Sequence, residues 1–535
     1  MTARSSCPLG LLTRICLCGI ACIAALAMLM LTIGSLLITA DMSTDNPMQE
    51  LILFRPDSLL RNIAVLVPAV LLGSTVMLLF RCSGLTGRLK PWILALSLGI
   101  WVTILGSLWV AMSLSTPTHD SYIVTSAGVS AANGDLSSIL DRVYFTRFPF
   151  QLGYVFWTEL WARLLSLTHE DYIALEIINI LCLALGEAAL VLTTERLFQN
   201  REITLAATLG LAVFFQPMIF STFLYGTIPG FCFSAWAIYC FVRYLKEYRM
   251  RYLVTSSVLL AVAVSLKLNN MILFVAMAIL LAVQLLKRKP LRQLAALLIL
   301  CAVVFTVPNI GKWQYELRTQ KEFGDGIPMV SWMAMGLHDA ETAPGWYNGY
   351  YTVTNYHSHN KDSDAAAKAS LEVIRDRLGY LAEHPKEGVV FFRDKILSQW
   401  SEPTYQSIWQ NQVRGHAGDP WGLAPYVCGA GEHRVTALMD HGIHLIFCGM
   451  LASCVCLILK SVKKTKKEEP LGTELYLIPL LFVGGFLYHA LFEAKSQYVI
   501  TYVIFMIPYA AYGFYKLCSA GKKLGTRLFQ IKKST

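Results

Sequence analysis

Residues 92–122 read WILALSLGIWVTILGSLWVAMSLSTPTHDSY. From 92 to 114 there is no charged side chain, and the few polar ones are small hydroxyls. About 20 such residues cross the ~30 Å of a bilayer's hydrocarbon as a helix. Backbone amides in lipid find no water, so a lone crossing segment must satisfy them internally as a helix. The character then changes within three residues, at Pro117-Thr118-His119-Asp120. A membrane span therefore opens directly into a loop that carries an acidic residue.

The same reading extends outward to the whole chain. Apolar residues make up 55% of the 535 and charged residues only 15%, against roughly 25% charged in soluble domains. Twelve spans are expected, near 15–39, 62–80, 92–114, 171–193, 203–222, 228–245, 252–267, 270–286, 291–310, 437–459, 473–491 and 497–516. The first run is longer than the ~7–15 apolar residues of a signal-peptide core, and so reads as a span despite a weak cleavage signal at Ala40. The net charge of +10 does not point to nucleic acid, because the cations fall in short segments between apolar runs. With the N-terminus inside, the cytoplasmic segments are basic throughout: Arg81/Arg88/Lys90, Arg196/Arg201, Arg243/Lys246/Arg249/Arg251, Lys287/Arg288/Lys289/Arg292, the cluster from Lys460 to Lys467, and the tail. That agrees with the positive-inside bias and predicts both termini in the cytoplasm. The 14 cysteines are scattered, mostly inside apolar runs, with no metal-ligand spacing to nearby histidines. They read as small apolar residues.

Two long segments are left outside, 115–170 and 311–436. In the first, 121–132 is small and mildly amphipathic, and 148–167 mixes aromatics with Gln151, Glu159 and Arg163, as an interfacial helix would. In the second, helices are expected over 362–383 and 386–400, broken by His384-Pro385 and closed by Glu402-Pro403. The expected fold is an all-α integral membrane bundle of about twelve spans. Its parts are two N-terminal helices (1–91), a core (92–310) whose first outer loop is 115–170, an extracytoplasmic segment (311–436), and C-terminal helices with a basic tail (437–535).

Four short motifs, in order, carry a resemblance. They are Pro117-Thr118-His119-Asp120-Ser121-Tyr122 after the third span, Phe148-Pro149-Phe150-Gln151-Leu152-Gly153, Glu195-Arg196-Leu197-Phe198 at a span end, and Ser265-Leu266-Lys267-Leu268 at another. In this order they resemble the GT-C superfamily of polytopic glycosyltransferases, in the branch of protein O-mannosyltransferases and lipid A aminoarabinose transferases. The resemblance covers roughly 92–310. It departs from the branch in three places: Ser121 follows Asp120 where an acidic pair is usual, Leu224 to Pro229 lacks the second acidic residue of many members, and Gln497 stands for an arginine in Glu493-Ala494-Lys495-Ser496-Gln497-Tyr498.

The resemblance implies an inverting transfer from a polyprenyl-phosphate sugar to a hydroxyl acceptor at the outer face of a plasma membrane, in cell-envelope glycan or glycoprotein synthesis. Donor, acceptor and membrane lipid would be the partners, with no nucleic acid. No cofactor is required, and a divalent metal is left open. Asp120 would be the base; it could instead cap a helix starting at Ser121. Lys267 would hold the leaving phosphate, or snorkel to the interface. Arg142 and Arg147 would assist, or be solvated loop residues. Asp135, Asp141 or Glu159 could supply a second carboxylate. Glu493, Lys495 and Tyr498 form either a further part of the site or a polar turn with an internal ion pair. Aromatics in 311–436, including Trp332, Trp346, Tyr347, Trp400, Tyr405, Trp409 and Trp421, could stack on sugars, or anchor and pack. His338-Asp339 and His357/His359 are too scattered for a metal site. Two rivals stand beside the enzyme: a multi-span transporter or flippase, which usually shows an internal repeat not found here, and a non-catalytic envelope-assembly partner keeping the fold.

Overall fold

The computed structural model describes residues 8–43, 49–140, 143–286, 290–462 and 472–534. The described residues are predominantly helical. Among the described residues, ten helices are long and apolar enough to cross a membrane, and Met250–Leu266 is a shorter apolar one. The two ends of the set differ in burial for a reason visible in composition. Leu59–Cys82 is apolar all round and stands at the rim with Leu60, Leu71, Leu72 and Leu79 exposed. Tyr172–Phe198 is buried along most of its length, packed between Pro91–Ser113 and Thr227–Glu247. Exposed leucines on the outside of a bundle are stable only against lipid, so they mark a hydrocarbon-facing surface.

The span expected over 203–222 is two helices, Arg201–Val213 and Gln216–Phe220. Pro217 cannot donate to the preceding turn, so the ladder breaks just before it. At this bend the Gln216 side chain donates from Nε2 to the Pro403 carbonyl at 3.1 Å, tying it to the 311–436 segment. The last helix runs beyond its expected end, from Ser496 to Ser534.

Two short β ladders join distant parts at one end of the bundle. Ile38–Met42 leaves the first helix and pairs antiparallel with Ile52–Pro56, with Ala40 opposite Phe54. Ser115–Thr116 follows Pro91–Ser113 and pairs antiparallel with Gly415–His416. Leu114, in the left-handed region at φ 48°, makes the corner between helix and strand. The first loop then forms His119–Ala132 and, after a 3-10 turn at Pro149–Gln151, Leu152–Leu165. The 311–436 segment covers the same end, and its helix pair is Ser363–Glu383, capped by Asp362, and Pro385–Trp400.

Candidate active site

A cavity of about 460 Å³ opens where the first loop, the break after Met250–Leu266, the 311–436 segment and the turn before the last helix meet. Its polar wall includes Asp120, Lys267, Glu50, Glu493, Lys495 and Tyr498. Residues more than 370 positions apart in sequence therefore face one space.

Asp120 lies in the first turn of His119–Ala132, and the capping position is Thr118. The capping role is therefore not the one it takes. His119, just before it, sits at φ 50°, a backbone that side-chain-bearing residues adopt at some cost. The Asp120 carboxylate accepts from the Tyr225 hydroxyl at 3.3 Å. The Tyr225 oxygen in turn accepts from the Gln151 amide at 2.6 Å and lies 2.9 Å from the Tyr144 hydroxyl. A phenol has a single proton. With that of Tyr225 given to Asp120, Tyr144 donates to Tyr225, and the three side chains form a chain ending on the carboxylate. Asp120 keeps free surface, and that surface lines the cavity. The protein around it still displaces enough water to push its carboxyl above the ordinary range, against the pull of Lys495, the Tyr225 hydrogen bond and Lys267.

Tyr225 is placed by a glycine. Gly226 has φ +82°, and a Cβ there would lie 2.2 Å from the Leu266 carbonyl oxygen. Only glycine allows that approach. It brings Tyr225 against the residue after Leu266, which is Lys267. Lys267 ends its helix in extended backbone, φ −153° and ψ 115°. Its ammonium sits 4.2 Å from the Tyr225 ring centre and 5.2 Å from that of Tyr498, on the negative faces of the rings. Among the described residues it is held by aromatic faces rather than by a carboxylate. Burial lowers it to about 8, partly offset by Glu493 and Asp120.

The turn between the last two spans completes the wall. Lys495 pairs with Glu50 at 2.5 Å, and the Tyr498 hydroxyl donates to Glu493 at 3.1 Å. The ion pair crosses to the N-terminal hairpin instead of closing within the turn. Lys495 is desolvated, yet Glu50 and Glu493 outweigh that and hold its ammonium above the usual range. Burial raises Glu493 to about 7, opposed by Lys495 and the Tyr498 hydrogen bond. The turn is fixed from the 311–436 side. The Ala494 amide donates to the Gly345 carbonyl at 2.7 Å, and the buried Lys395 ammonium donates to the carbonyls of Phe492, at 2.8 Å, and Gly336.

Several residues singled out by sequence stand elsewhere. Arg147 does not line the cavity; its guanidinium donates to His357 Nε2 from Nε at 3.0 Å. Arg142 and Asp141 lie outside the described residues. Glu159 is occupied by Arg163, Arg318 and Tyr315, at 2.7, 2.8 and 2.6 Å respectively, so its charge is already neutralised away from the cavity. Asp135 is at the far end of His119–Ala132, where its carboxylate accepts from the Ser137 amide at 2.8 Å. Of the aromatics, Trp332, Tyr347 and Trp409 line the cavity, whereas Trp346, Trp400 and Tyr405 are buried core and Trp421 is exposed. Sequence reading missed Glu50, Tyr144, Gln151 and Tyr225. The Phe-Pro-Phe-Gln motif contained Gln151, but only the fold gives it a partner.

Residues 155–311 match the family model described as dolichyl-phosphate-mannose-protein mannosyltransferase. The chain resembles the GT-C glycosyltransferases. The matched stretch holds Tyr225 and Lys267, while Asp120 lies before it and Glu493 and Lys495 after it. No curated protein matches the chain. In this GT-C-like bundle the cavity therefore joins the matched stretch to the segments on either side of it.

Proposed function

We propose that this protein transfers a sugar from a polyprenyl-phosphate donor to a hydroxyl acceptor, at the extracytoplasmic face of a plasma membrane. The observation that carries the reading is the meeting of Asp120 and Lys267 in one cavity, joined through Tyr225. The acceptor oxygen attacks the anomeric carbon from the face opposite the phosphate, and the new C–O bond forms as the bond to the phosphate oxygen breaks. The acceptor proton passes to the Asp120 carboxylate. The bonding electron pair leaves with the polyprenyl phosphate, whose added charge is met by the Lys267 ammonium and, behind it, by Lys495. Lys495 takes the part expected of Arg147. Phe148, Phe150, Phe223, Leu268 and Met329 give the same cavity an apolar side, suited to an isoprenoid chain and to sugar faces.

The test is transfer in membranes containing the full chain, with a polyprenyl-phosphate sugar as donor. Asp120→Asn and Lys267→Ala should abolish transfer while the protein still accumulates and runs as a folded species in detergent. Near-normal transfer by Asp120→Asn would remove the base assignment. Donor binding without turnover in the native chain would instead assign the fold to a non-catalytic partner.

A further inference from the structure

Away from the cavity, three metal-ligating side chains converge where Glu432–Val462 passes the hairpin. They are Asp440, His441 and His444. The spacing Asp-His-x-x-His sets Asp440 and His444 four apart and the two histidines three apart, so all three lie on one side of the helix. The imidazole ring centres are 6.0 Å apart. One donor atom from each residue lies within 4.8 Å of the other two. Ligands at about 2.1 Å from one ion stand roughly 3.4 Å apart, so side-chain adjustments of about an ångström would close the site.

The unpartnered atoms are a second, independent sign. His444 is fully buried, and its Nε2 meets the Ser35 carbonyl at 2.9 Å. A carbonyl can only accept, so Nε2 carries the proton of the neutral ring and Nδ1 carries the lone pair. That arrangement is typical of a metal-bound histidine oriented by a backbone partner. His444 Nδ1, His441 Nδ1 and Asp440 Oδ1 are all buried without a hydrogen-bond partner, and Asp440 Oδ1 lies 3.5 Å from His444 Nε2. Three such atoms on three ligand-type residues in one place would be costly to leave unmet. The surroundings are also short of positive charge. The Thr39 hydroxyl lies 3.5 Å from Asp440 Oδ2 and 3.4 Å from Asp57 Oδ2. The nearby arginines are already engaged, Arg61 with Asp57 and Arg55 with Asp41.

We propose that Asp440, His441 and His444 bind a divalent metal ion of the zinc class on the helix beginning at Glu432, where it meets the N-terminal hairpin at Thr39. Two imidazoles and a carboxylate suit such an ion better than they suit calcium or magnesium. The ion's part is structural, since none of the three residues lines the cavity. The hairpin meets the site through the Thr39 hydroxyl, and the loop between its two strands carries Glu50.

The experiment is elemental analysis of the full chain purified in detergent through a tag without histidines, with replacement by Co²⁺ and thermal unfolding as second readings. One bound transition metal per chain is expected. Stripping with a chelator should lower the unfolding temperature and Zn²⁺ should restore it, while Co²⁺ should give the visible absorption of low-coordinate nitrogen and oxygen ligation. His441→Gln combined with His444→Gln should reduce the metal to background. A native chain that carries no metal, and that neither gains stability from Zn²⁺ nor shows a Co²⁺ spectrum, overturns the proposal without recourse to any variant. Unchanged metal content in the double variant overturns it equally. Sugar transfer is not a readout here, so this result stands apart from the proposed activity.

Discussion

At the scale of single residues, the site divides charge between a carboxylate pushed up and a lysine pushed down. Both shifts arise mainly from burial, which disfavours the charged form of each. As the proposed base Asp120 accepts a proton only when ionised, so transfer should fall as pH drops through its raised value. In the proposed role of phosphate-binding cation Lys267 acts only when protonated, so transfer should also fall as pH rises past about 8. The expected pH profile is a bell. Lys267→Arg keeps its charge at alkaline pH, so it should extend the alkaline limb upward even where the maximal rate drops. An alkaline limb in the same place for Lys267→Arg would assign it to another group. Tyr225→Phe removes the hydroxyl from Asp120 while leaving the ring under Lys267. It should lower the rate of transfer more than donor affinity, and a matched kcat and KM comparison reads this directly.

At the scale of elements, the site depends on turns that bring backbone unusually close. Gly226→Ala would set a Cβ against the Leu266 carbonyl at a positive φ. Tyr225 and Lys267 would have to part, and transfer should drop by at least about tenfold, the response to small misplacements of catalytic groups. Glu402 governs a second turn. Its buried carboxylate accepts from the Thr404 amide at 2.8 Å and hydroxyl at 2.6 Å, from the Gln406 amide at 2.6 Å and from the Ser496 hydroxyl at 2.8 Å. These bonds hold Tyr405 and Gln406 in left-handed backbone, φ 50° and 61°, beside the start of the last span. Glu402→Ala should cost about 2–3 kcal/mol, as charge-assisted hydrogen bonds do when buried partners are orphaned, and thermal unfolding in detergent would measure it. Asp120 and Lys267 were legible in sequence because each interrupts an apolar context, where an ionisable group stands out. Tyr225 and Gln151 were not: each is an ordinary residue until a partner some 75 positions away meets it. The Asp-His-x-x-His spacing was printed in the sequence too, but it falls at the head of an apolar run and reads there as part of a span.

At the scale of the whole molecule, hydropathy carried most of the architecture, since ~20 apolar residues in lipid have one stable solution. It failed where a single proline divided one span, and it had no access to the hairpin. The segment between 41 and 61 has no helical period, so nothing marked Glu50 as a wall of the cavity or the partner of Lys495. Sidedness was read from basic loops and can be measured separately. An epitope placed after Gly379, in the exposed face of Ser363–Glu383, should react on intact cells. One placed within 463–471 should react only after permeabilisation. The reverse pattern would put the cavity on the cytoplasmic side and end the reading as an extracytoplasmic transferase.

The most direct measurement is an experimental structure of the full chain with a bound polyprenyl phosphate. The proposed transfer requires the phosphate within hydrogen-bond reach of Lys267, the isoprenoid tail leaving along the apolar side of the cavity, and Asp120 facing the space left for sugar and acceptor. A phosphate seated away from Lys267, or Asp120 turned out of the chamber when the lipid is bound, would contradict it.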